Sequence, residues 1–325
     1  MKELIIDAKD SGQRMDKYLK KYFCNAGSSF LYKMLRKKNI VLNGKKASGN
    51  ELLKHGDVIG VFFSEETFAK FSSSNQAENI HDYTNAYRAI SGVDVLYEDE
   101  DFLILFKPEG ILTQKSSNED ISLNDWIIGY LIETGQKPDF NVFRPGAVNR
   151  IDRNTTGIVL GAKTYRGSRV FSDCIKDRSI RKFYLAVAEG KTPQNGHLAG
   201  YLVKNESENK VLVYDDLQLV PGNLKSAVPI ETRFRTLDFR EGYSLVEVEL
   251  LTGKSHQIRA HLASVGHPLA GDVKYGGKKY PGSKGQALLA YRMEFPEGKE
   301  ELGNLQGKAI AAKVPKGFWL TDDIK

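Results

Sequence analysis

The residues best suited to chemistry lie between Asn149 and Leu160, where one aspartate stands between two arginines. Asp152 lies between Arg150 and Arg153, and the stretch then continues through small polar residues into an apolar run. Cations within a few ångström favour the ionised carboxylate, so the pattern predicts an aspartate held as an anion. The same composition also fits a solvated surface loop in which acid and arginine form an exposed patch. Both interpretations stay open on this stretch alone.

A second stretch supplies a cation that can meet this acid. Gly253 ends a predicted strand, and the apolar spacing beyond it predicts a short helix with Arg259 at the margin of its buried stripe. The stripe consists of Ile258, Leu262 and Val265. A half-buried guanidinium needs an anion, and the planar fork of arginine matches a carboxylate. We therefore expect Arg259 to pair with Asp152.

Two other chemistries fit this second stretch poorly. The Gly-Lys-Ser triplet at residues 253–255 has the composition of a nucleotide-binding loop, but Val248 stands where that loop requires a glycine. His256 and His261 are five residues apart, and this spacing does not bring both onto one helical face as a zinc pair requires. The sequence therefore predicts no metal site.

A tyrosine on a predicted strand is a further candidate. The strand runs from Ile180 to Ala188, and its period-two alternation divides the residues between two faces. One face carries Phe183, Leu185 and Val187, and the other carries Lys182, Tyr184 and Ala186. Tyr184 is therefore expected to face away from the aliphatic side and to line a cleft beside Lys182. An amphipathic ring that only covers the sheet is the alternative.

The elements that must hold these residues belong to a chain of 325 residues, a length that favours one large domain and one small one. The hydrophobic share of 41% and the charged share of 27% are those of a globular protein. No apolar run approaches the ~18 residues of a membrane span, and the first ten residues lack the apolar core of a secretory signal. Cys24 and Cys174 lie too far apart in sequence to suggest a disulfide framework. We expect a cytoplasmic protein that does not enter a membrane.

Positive charge is concentrated near the N-terminus. Residues 13–63 contain eleven Lys or Arg and three acids, a net charge of +8, whereas the whole chain carries +6 and the other residues therefore −2. Helical spacing predicts two short basic helices over about 14–24 and 28–38, followed by strands near 39–43 and 58–63. A basic patch of this kind attracts phosphate backbones. The candidate RNA contacts here are Lys17, Arg36, Lys37, Lys38 and Lys45.

Short motifs in this basic region resemble the αL RNA-binding module that is named after a small-subunit ribosomal protein. The motifs are Arg14-x-Asp16-x-Tyr18-Leu19, Val41-x-Asn43-Gly44-Lys45 and Gly56-Asp57-x-Ile59. We assign residues 1–63 to such a module. Residues 64–91 are polar, with a run of serines at the centre, and are predicted to be a weakly structured linker that lets the two domains move independently. Residues 92–325 then form the second domain.

The stretch around Asp152 resembles the catalytic motif of the RluA family of pseudouridine synthases, His-Arg-Leu-Asp-x-x-Thr-Ser-Gly-Leu. Other stretches resemble further family motifs in the family's order, so that the match spans most of the chain. They are Tyr97 to Gly110, Arg181 to Ala186, and Thr252 to His261 followed by Gly266-His267-Pro268 and Gly271-Asp272. The resemblance implies an α+β pseudouridine synthase fold for residues 92–325, built on a large mixed, mostly antiparallel sheet.

The resemblance also implies roles for individual residues. Asp152 would break the glycosidic bond of a uridine by attacking the sugar, attacking the base or removing a sugar proton, and the sequence does not choose among these. Tyr184 would stack on the target base and take the proton from its carbon-5, while Arg259 would keep Asp152 ionised. Arg150 would fill the gap left by the flipped-out uridine. The remaining candidate RNA contacts of this domain are Arg153, Lys182, Lys254, His256 and Gln257.

The implied isomerisation is redox-neutral and transfers nothing to a second substrate, so no cofactor is expected. The expected partner is RNA bound by a monomer, with large-subunit ribosomal RNA as the first candidate and transfer RNA as the second. An RNA-binding or ribosome-assembly factor that keeps the fold without catalysis is the alternative, against which the intact site residues argue. An aspartate-dependent hydrolase is less well supported because no second carboxylate accompanies Asp152 in a recognisable pair.

Two positions depart from the family pattern. Asn149 stands where the family usually has histidine, and Leu289 replaces the histidine of a usual Leu-His-Ala. Neither position carries the chemistry in the family. We therefore expect the two replacements to affect positioning or RNA choice more than activity.

Overall fold

The computed structural model describes residues 1–72, 76–136, 140, 143–221, 226–281 and 283–320, without the side chains of residues 76–79. Seven α-helices lie in these ranges. They are α1 (Met15–Tyr22), α2 (Ser28–Arg36), α3 (Glu65–Ser72), α4 (Gln76–Ala89), α5 (Leu123–Glu133), α6 (Tyr165–Lys176) and α7 (Gln257–Ser264).

Fifteen strands lie in the same described ranges and form two sheets. They are β1 (Lys2–Ile5), β2 (Ile40–Leu42), β3 (Lys45–Lys46), β4 (Val58–Val61), β5 (Asp94–Glu98), β6 (Phe102–Lys107), β7 (Gly146–Ala147), β8 (Thr156–Ala162), β9 (Arg181–Glu189), β10 (Asn195–Asn205), β11 (Lys210–Tyr214), β12 (Val228–Arg240), β13 (Tyr243–Leu250), β14 (Leu288–Glu294) and β15 (Ala309–Ala311).

The N-terminal region contains the two predicted basic helices and a small antiparallel sheet with strand order β1-β4-β2-β3. Met15 and Leu19 of α1 point into one apolar cluster with Leu35 of α2 and Ile59 of β4, and all four are buried. The apolar spacing along each helix therefore predicts the buried face correctly, because that face packs on the sheet while Lys17, Lys20 and Lys33 are exposed.

The segment predicted to be a weakly structured linker is largely helical, so that prediction is wrong for the residues described. Phe68 of α3 packs edge-on against Phe23 of the N-terminal cluster at 5.4 Å between ring centroids. The helix α4 packs closely on α5, since a Cβ added to Gly129 of α5 would lie only 2.1 Å from the carbonyl oxygen of Tyr83 in α4. The few aromatic residues of this polar segment thus hold two helices in place, α3 against the N-terminal cluster and α4 against α5. The centre of the predicted linker, residues 73–75, lies outside the described residues.

The second sheet has eleven strands. Nine follow one another in the order β11-β10-β12-β13-β9-β14-β8-β6-β5, while β15 pairs with β14 and β7 with β8. Only the pairing of β14 with β8 is parallel among the described strands. The expected mixed, mostly antiparallel sheet of an α+β domain is confirmed.

Helices cover both faces of this sheet. On β6, Leu103 and Leu105 share an apolar cluster with Trp126 of α5, whereas Phe102 stacks on Phe171 of α6 at 4.3 Å between ring centroids. The alternation of a strand sends its odd and even residues to opposite faces. A continuous apolar run such as β6 is therefore what this layered arrangement requires.

Over the residues that the structure describes, no helix combines the length and the apolar character that a membrane crossing requires.

Candidate active site

Asp152 and Arg259 meet from distant parts of the chain. Asp152 lies on the loop before β8, and Nη1 of Arg259, on α7, donates a 2.8 Å hydrogen bond to its Oδ2. The predicted pair is present. The aspartate side chain keeps 25% of its surface exposed while that of the arginine keeps 8%, so the acid is open to a substrate and the cation behind it is not.

A second carboxylate holds the arginine in place. Asp272 accepts one hydrogen bond from Nε of Arg259 at 2.7 Å and another from Nη2 at 2.8 Å. Burial disfavours the charge on Arg259, but Asp272 and Asp152 outweigh it and raise the pKa of the guanidinium. The bidentate grip fixes the plane of the guanidinium. Asp272 was not predicted as a partner, although the Gly-Asp motif that contains it was recognised.

His256 also faces the acid. Its Nε2 lies 3.8 Å from Oδ2 of Asp152, and its Nδ1 is 2.9 Å from the hydroxyl of Tyr275. The residue adopts a left-handed backbone with φ of 58° directly before α7, a conformation that is uncommon outside glycine and concentrates at functional sites. Burial lowers the pKa of His256, with Asp152 opposing the shift. His256 was predicted to contact RNA, and its position makes it a neighbour of the acid as well.

Lys107, at the end of β6, anchors the loop that carries Asp152. Its fully buried ammonium donates to three carbonyls, those of Pro108 at 2.9 Å, Ile111 at 2.8 Å and Arg153 at 3.0 Å. Burial lowers the pKa of Lys107 to about 7, against the opposing charges of Asp152 and Glu109. Lysine has three ammonium donors, and here each has a carbonyl. In the sequence, Lys107 is recognisable only as part of the motif from Tyr97 to Gly110.

Two further side chains hold the same loop. Oγ1 of Thr113 donates to the carbonyl of Ile151 at 3.0 Å, and Oδ1 of Asn149 accepts from the backbone N–H of Leu160 at 2.7 Å. Asn149 therefore ties the start of the loop to β8, which is a positioning role. Leu289, the other departure from the family pattern, is a fully buried side chain of β14.

The flanking arginines do not pair with the acid, contrary to the charge-partner interpretation. Nε of Arg153 donates to the carbonyl of Gly110 at 3.0 Å, and both Arg150 and Arg153 are exposed. Within the described residues, the cationic or titratable partners of Asp152 are Arg259 and His256. Loop geometry rather than sequence adjacency decides which cation reaches the carboxylate. The exposed arginines stay candidates for RNA contact.

Tyr184 is more deeply buried than its predicted orientation implies. It belongs to the same apolar cluster as Leu105 and Trp126, whereas Val187 lies in a separate cluster, so Tyr184 does face away from the aliphatic residues of its strand, onto a face that is apolar as well. Burial, reinforced by the nearby charge of Asp152, raises the pKa of its phenol. Alternation along β9 does not indicate this burial, because both faces of the strand carry buried apolar residues.

The other predicted contacts divide by exposure. Gln257 is buried, and its amide donates to the carbonyl of Glu231 and to Thr232, each at 2.9 Å, so its assignment to RNA is wrong because its hydrogen bonds are spent inside the fold. Lys254 is exposed, and Lys182 is buried. Val265 is 46% exposed and lies just after the end of α7, outside the stripe it was predicted to join. The five N-terminal candidates are all exposed, as a contact surface requires: Lys17, Arg36, Lys37, Lys38 and Lys45.

Among the described residues, no group of three or more potential metal ligands of the His, Cys, Asp and Glu types is close enough to hold an ion. What the site offers is an accessible carboxylate with a fixed guanidinium behind it and an aromatic ring nearby. Such a set can act as a nucleophile or a base on a flat, neutral substrate.

Comparison with known proteins gives a consistent picture. Residues 101–264 match the family model described as RNA pseudouridylate synthase. The chain is 30% identical over 316 residues to an uncharacterised RNA pseudouridine synthase of Mycoplasma capricolum, covering 95% of this chain and 97% of the relative. It is also 30% identical to the ribosomal large subunit pseudouridine synthase C of Rickettsia felis, covering 98% of each chain.

A solved structure supports the fold. The human RNA pseudouridylate synthase domain containing 4 superposes with a TM-score of 0.57 at 19% identity, covering 73% of this chain and 94% of the human one.

Proposed function

The chain belongs to the RNA pseudouridylate synthase family, and from that premise we propose that it isomerises uridine to pseudouridine in large-subunit ribosomal RNA with Asp152 as the reacting group. The enzyme is an RNA pseudouridine synthase. Several of its relatives are named for the large ribosomal subunit, which supports that RNA as the substrate. We expect a monomer that works in the cytoplasm.

The reaction exchanges one bond for another. The bond from N1 of uracil to C1′ of the ribose breaks, the base turns, and C5 bonds to C1′. One proton leaves C5 and one is gained at N1, so the product is an isomer and no electrons are exchanged with a second substrate. A group that starts this sequence must reach the sugar or the base as an anion or a base.

The observation that carries the assignment of Asp152 is its hydrogen bond to Arg259, which is itself gripped by buried Asp272. A preorganised guanidinium stabilises negative charge on the carboxylate without rearranging during the reaction. The exposed edge of Asp152 is left for the uridine. Attack on the sugar, attack on the base and removal of a sugar proton are all compatible with this geometry.

Tyr184 is proposed to stack on the flipped uracil. Its raised pKa means that the phenol holds its proton in the free enzyme, and a neutral ring suits stacking against a neutral base. Accepting the C5 proton requires the phenolic proton to leave first. Arg150, exposed on the same loop as Asp152, is proposed to occupy the space in the RNA from which the uridine is withdrawn.

The test uses RNA that carries tritium at C5 of uridine. Large-subunit ribosomal RNA and transfer RNA, each from a strain that lacks the gene, are incubated with the natural protein. Tritium release from ribosomal RNA alone supports the proposal, and release from transfer RNA alone moves the substrate to that class. Tight binding without release from either would favour an assembly factor instead.

A further inference from the structure

Lys182 is a buried cation for which the described part of the fold provides no partner. The residue is 8% exposed, and among the described residues no hydrogen bond or ion pair engages its ammonium, which keeps some contact with solvent. Burial and the neighbouring charge of Arg178 both lower its pKa. A cation that is largely withdrawn from water and has no partner in the fold is available to an anion from outside.

The ammonium borders a cavity of about 210 Å³, which has room for roughly seven water molecules at about 30 Å³ each. Its charged lining consists of four cations and two carboxylates: Arg178, Arg181, Lys182, Arg233, Glu231 and Glu249.

Both carboxylates of the lining are already engaged. Glu249 accepts from Nε of Arg181 at 2.8 Å, and Glu231 is 2.7 Å from Nε2 of His197. Arg181 has a second carboxylate partner outside the lining, Glu294. The pocket therefore has a surplus of positive charge, and Lys182 contributes to it from the most enclosed position.

The pocket lies next to the proposed catalytic centre. Lys182 and Tyr184 are two residues apart on β9, so both point to the same face about 6.8 Å apart at ~3.4 Å per residue. The lysine Nζ also lies beside Gly253, 3.4 Å from the position that a Cβ would take there. Gly253 belongs to the loop that leads from β13 to His256 and Arg259.

We propose that the Lys182 pocket binds a backbone phosphate of the substrate RNA next to the uridine that Asp152 attacks. This inference rests on the proposed function and names a subsite for its substrate. A phosphate satisfies the unpartnered ammonium, fits a cavity with surplus positive charge, and lies on every RNA strand within one or two nucleotides of the target base. Sequence-independent phosphate contacts of this kind set the register of a nucleic acid on a protein. Lys182 thereby holds the strand while Tyr184 receives the base.

The test compares the natural protein with Lys182→Met, which keeps the length of the side chain and removes its charge. The probe is a short fluorescein-labelled oligouridylate, titrated by fluorescence polarisation at several salt concentrations. Lys182→Met should bind about tenfold more weakly, the equivalent of one charge-assisted hydrogen bond. The slope of log affinity against log salt should become shallower by about 0.7, the value for one phosphate on a single strand. The melting temperature of Lys182→Met should equal or exceed that of the natural protein.

Lys163→Met is the matched control. Nζ of Lys163 donates to Glu98 and to the carbonyl of Asp99, both at 2.7 Å, so that lysine has partners within the fold. Its replacement should lower the melting temperature and leave the salt slope unchanged. An oligouridylate with neutral methylphosphonate linkages should bind the natural protein and Lys182→Met equally.

The proposal is overturned if Lys182→Met binds oligouridylate with unchanged affinity and salt slope, or if it melts well below the natural protein while binding normally. If inorganic phosphate raises the melting temperature of the natural protein but not of Lys182→Met, and both bind oligouridylate equally, the pocket is a small-anion site and the RNA assignment fails. Turnover enters none of these measurements. A failure here is therefore distinct from a failure to release tritium.

Discussion

Two buried lysines near the proposed catalytic centre have opposite surroundings. Lys107 uses its three donors on three carbonyls and thereby ties the Asp152 loop to β6. Lys182, two residues from Tyr184, is nearly as buried but has no partner among the described residues. A buried cation whose protons are all used is part of the architecture. One whose protons are unused indicates a place for something that the fold does not contain.

Arg259 lies on the satisfied side of this comparison. Each of its three nitrogens donates to a carboxylate oxygen, two from Asp272 and one from Asp152. The proposed catalytic centre is thus rigidly held around Asp152, whereas Lys182, where we expect the RNA strand, has no hydrogen-bond partner among the described residues. Variants that remove satisfied cations should lose stability, and variants that remove unsatisfied or exposed ones should lose RNA affinity.

The largest effect is expected from Arg259→Met. Removing one partner of a buried pair leaves Asp272 uncompensated, so the free energy of unfolding should fall by about 3–5 kcal/mol. Tritium release should fall by at least about a hundredfold, in the range seen when one preorganised charge-stabilising donor is removed. Urea denaturation and the release assay measure the two. The double variant Arg259→Met with Asp272→Leu should recover stability without recovering release; if it restores release, Arg259 acts only through stability.

Lys107→Met should come second. Three carbonyls lose a donor, and we expect the free energy of unfolding to fall by about 3 kcal/mol, with partial compensation by water. Because the Asp152 loop loses an anchor, kcat should fall more than KM rises. Urea denaturation and steady-state kinetics check both. If Lys107→Met were as stable as the natural protein, the hydrogen bonds of Lys107 would not stabilise the fold, and Lys107 and Lys182 would not differ in this respect.

The protonation of Lys107 should also affect how the free energy of unfolding depends on pH. The folded-state pKa of Lys107 is about 7, below the ~10.4 of an unfolded chain, so the unfolded state binds more protons between these values. The unfavourable contribution of this group is complete below about pH 7 and fades as the pH rises towards ~10.4. As the pH rises through this range, the free energy of unfolding of the natural protein should therefore increase relative to that of Lys107→Met. Parallel curves would contradict this prediction.

The smallest effect on stability is expected at the N-terminal surface. Replacing the exposed cations Lys17, Arg36, Lys37, Lys38 and Lys45 by glutamine should change the free energy of unfolding by no more than ~0.5 kcal/mol each. The salt dependence of RNA binding should weaken, while kcat at saturating RNA stays the same. Titrations at several salt concentrations test this. An unchanged salt slope would show that the basic N-terminal region is not the docking surface.

Much of the fold and part of the site could be predicted from the sequence. The helices and strands with clear periodicity were found, and Arg259 was matched with Asp152 because a half-buried arginine needs an anion. The grip of Asp272 and the three carbonyls around Lys107 could not be predicted, because they depend on which loops the topology brings together. The chain between residues 64 and 91 was misjudged because its anchoring aromatics are few and its helices are polar elsewhere.

Tyr184 shows the same limit from another direction. Alternation along a strand indicates which residues share a face, and it correctly groups Tyr184 with Lys182. It does not indicate what buries that face, which here belongs to an apolar cluster that includes Ile258 and Leu262 of α7. The alternation therefore predicted correctly that Tyr184 shares a face with Lys182, but it did not predict that Tyr184 is buried there.

The central claim is that Asp152 breaks the glycosidic bond, and single-turnover tritium release by Asp152→Asn tests it most directly. Asparagine keeps the size of the side chain and can still accept from Arg259, so RNA binding should persist, and polarisation with the labelled oligouridylate checks this in the same preparation. We predict binding close to that of the natural protein and no detectable tritium release. Release by Asp152→Asn at a rate near that of the natural protein would contradict the account.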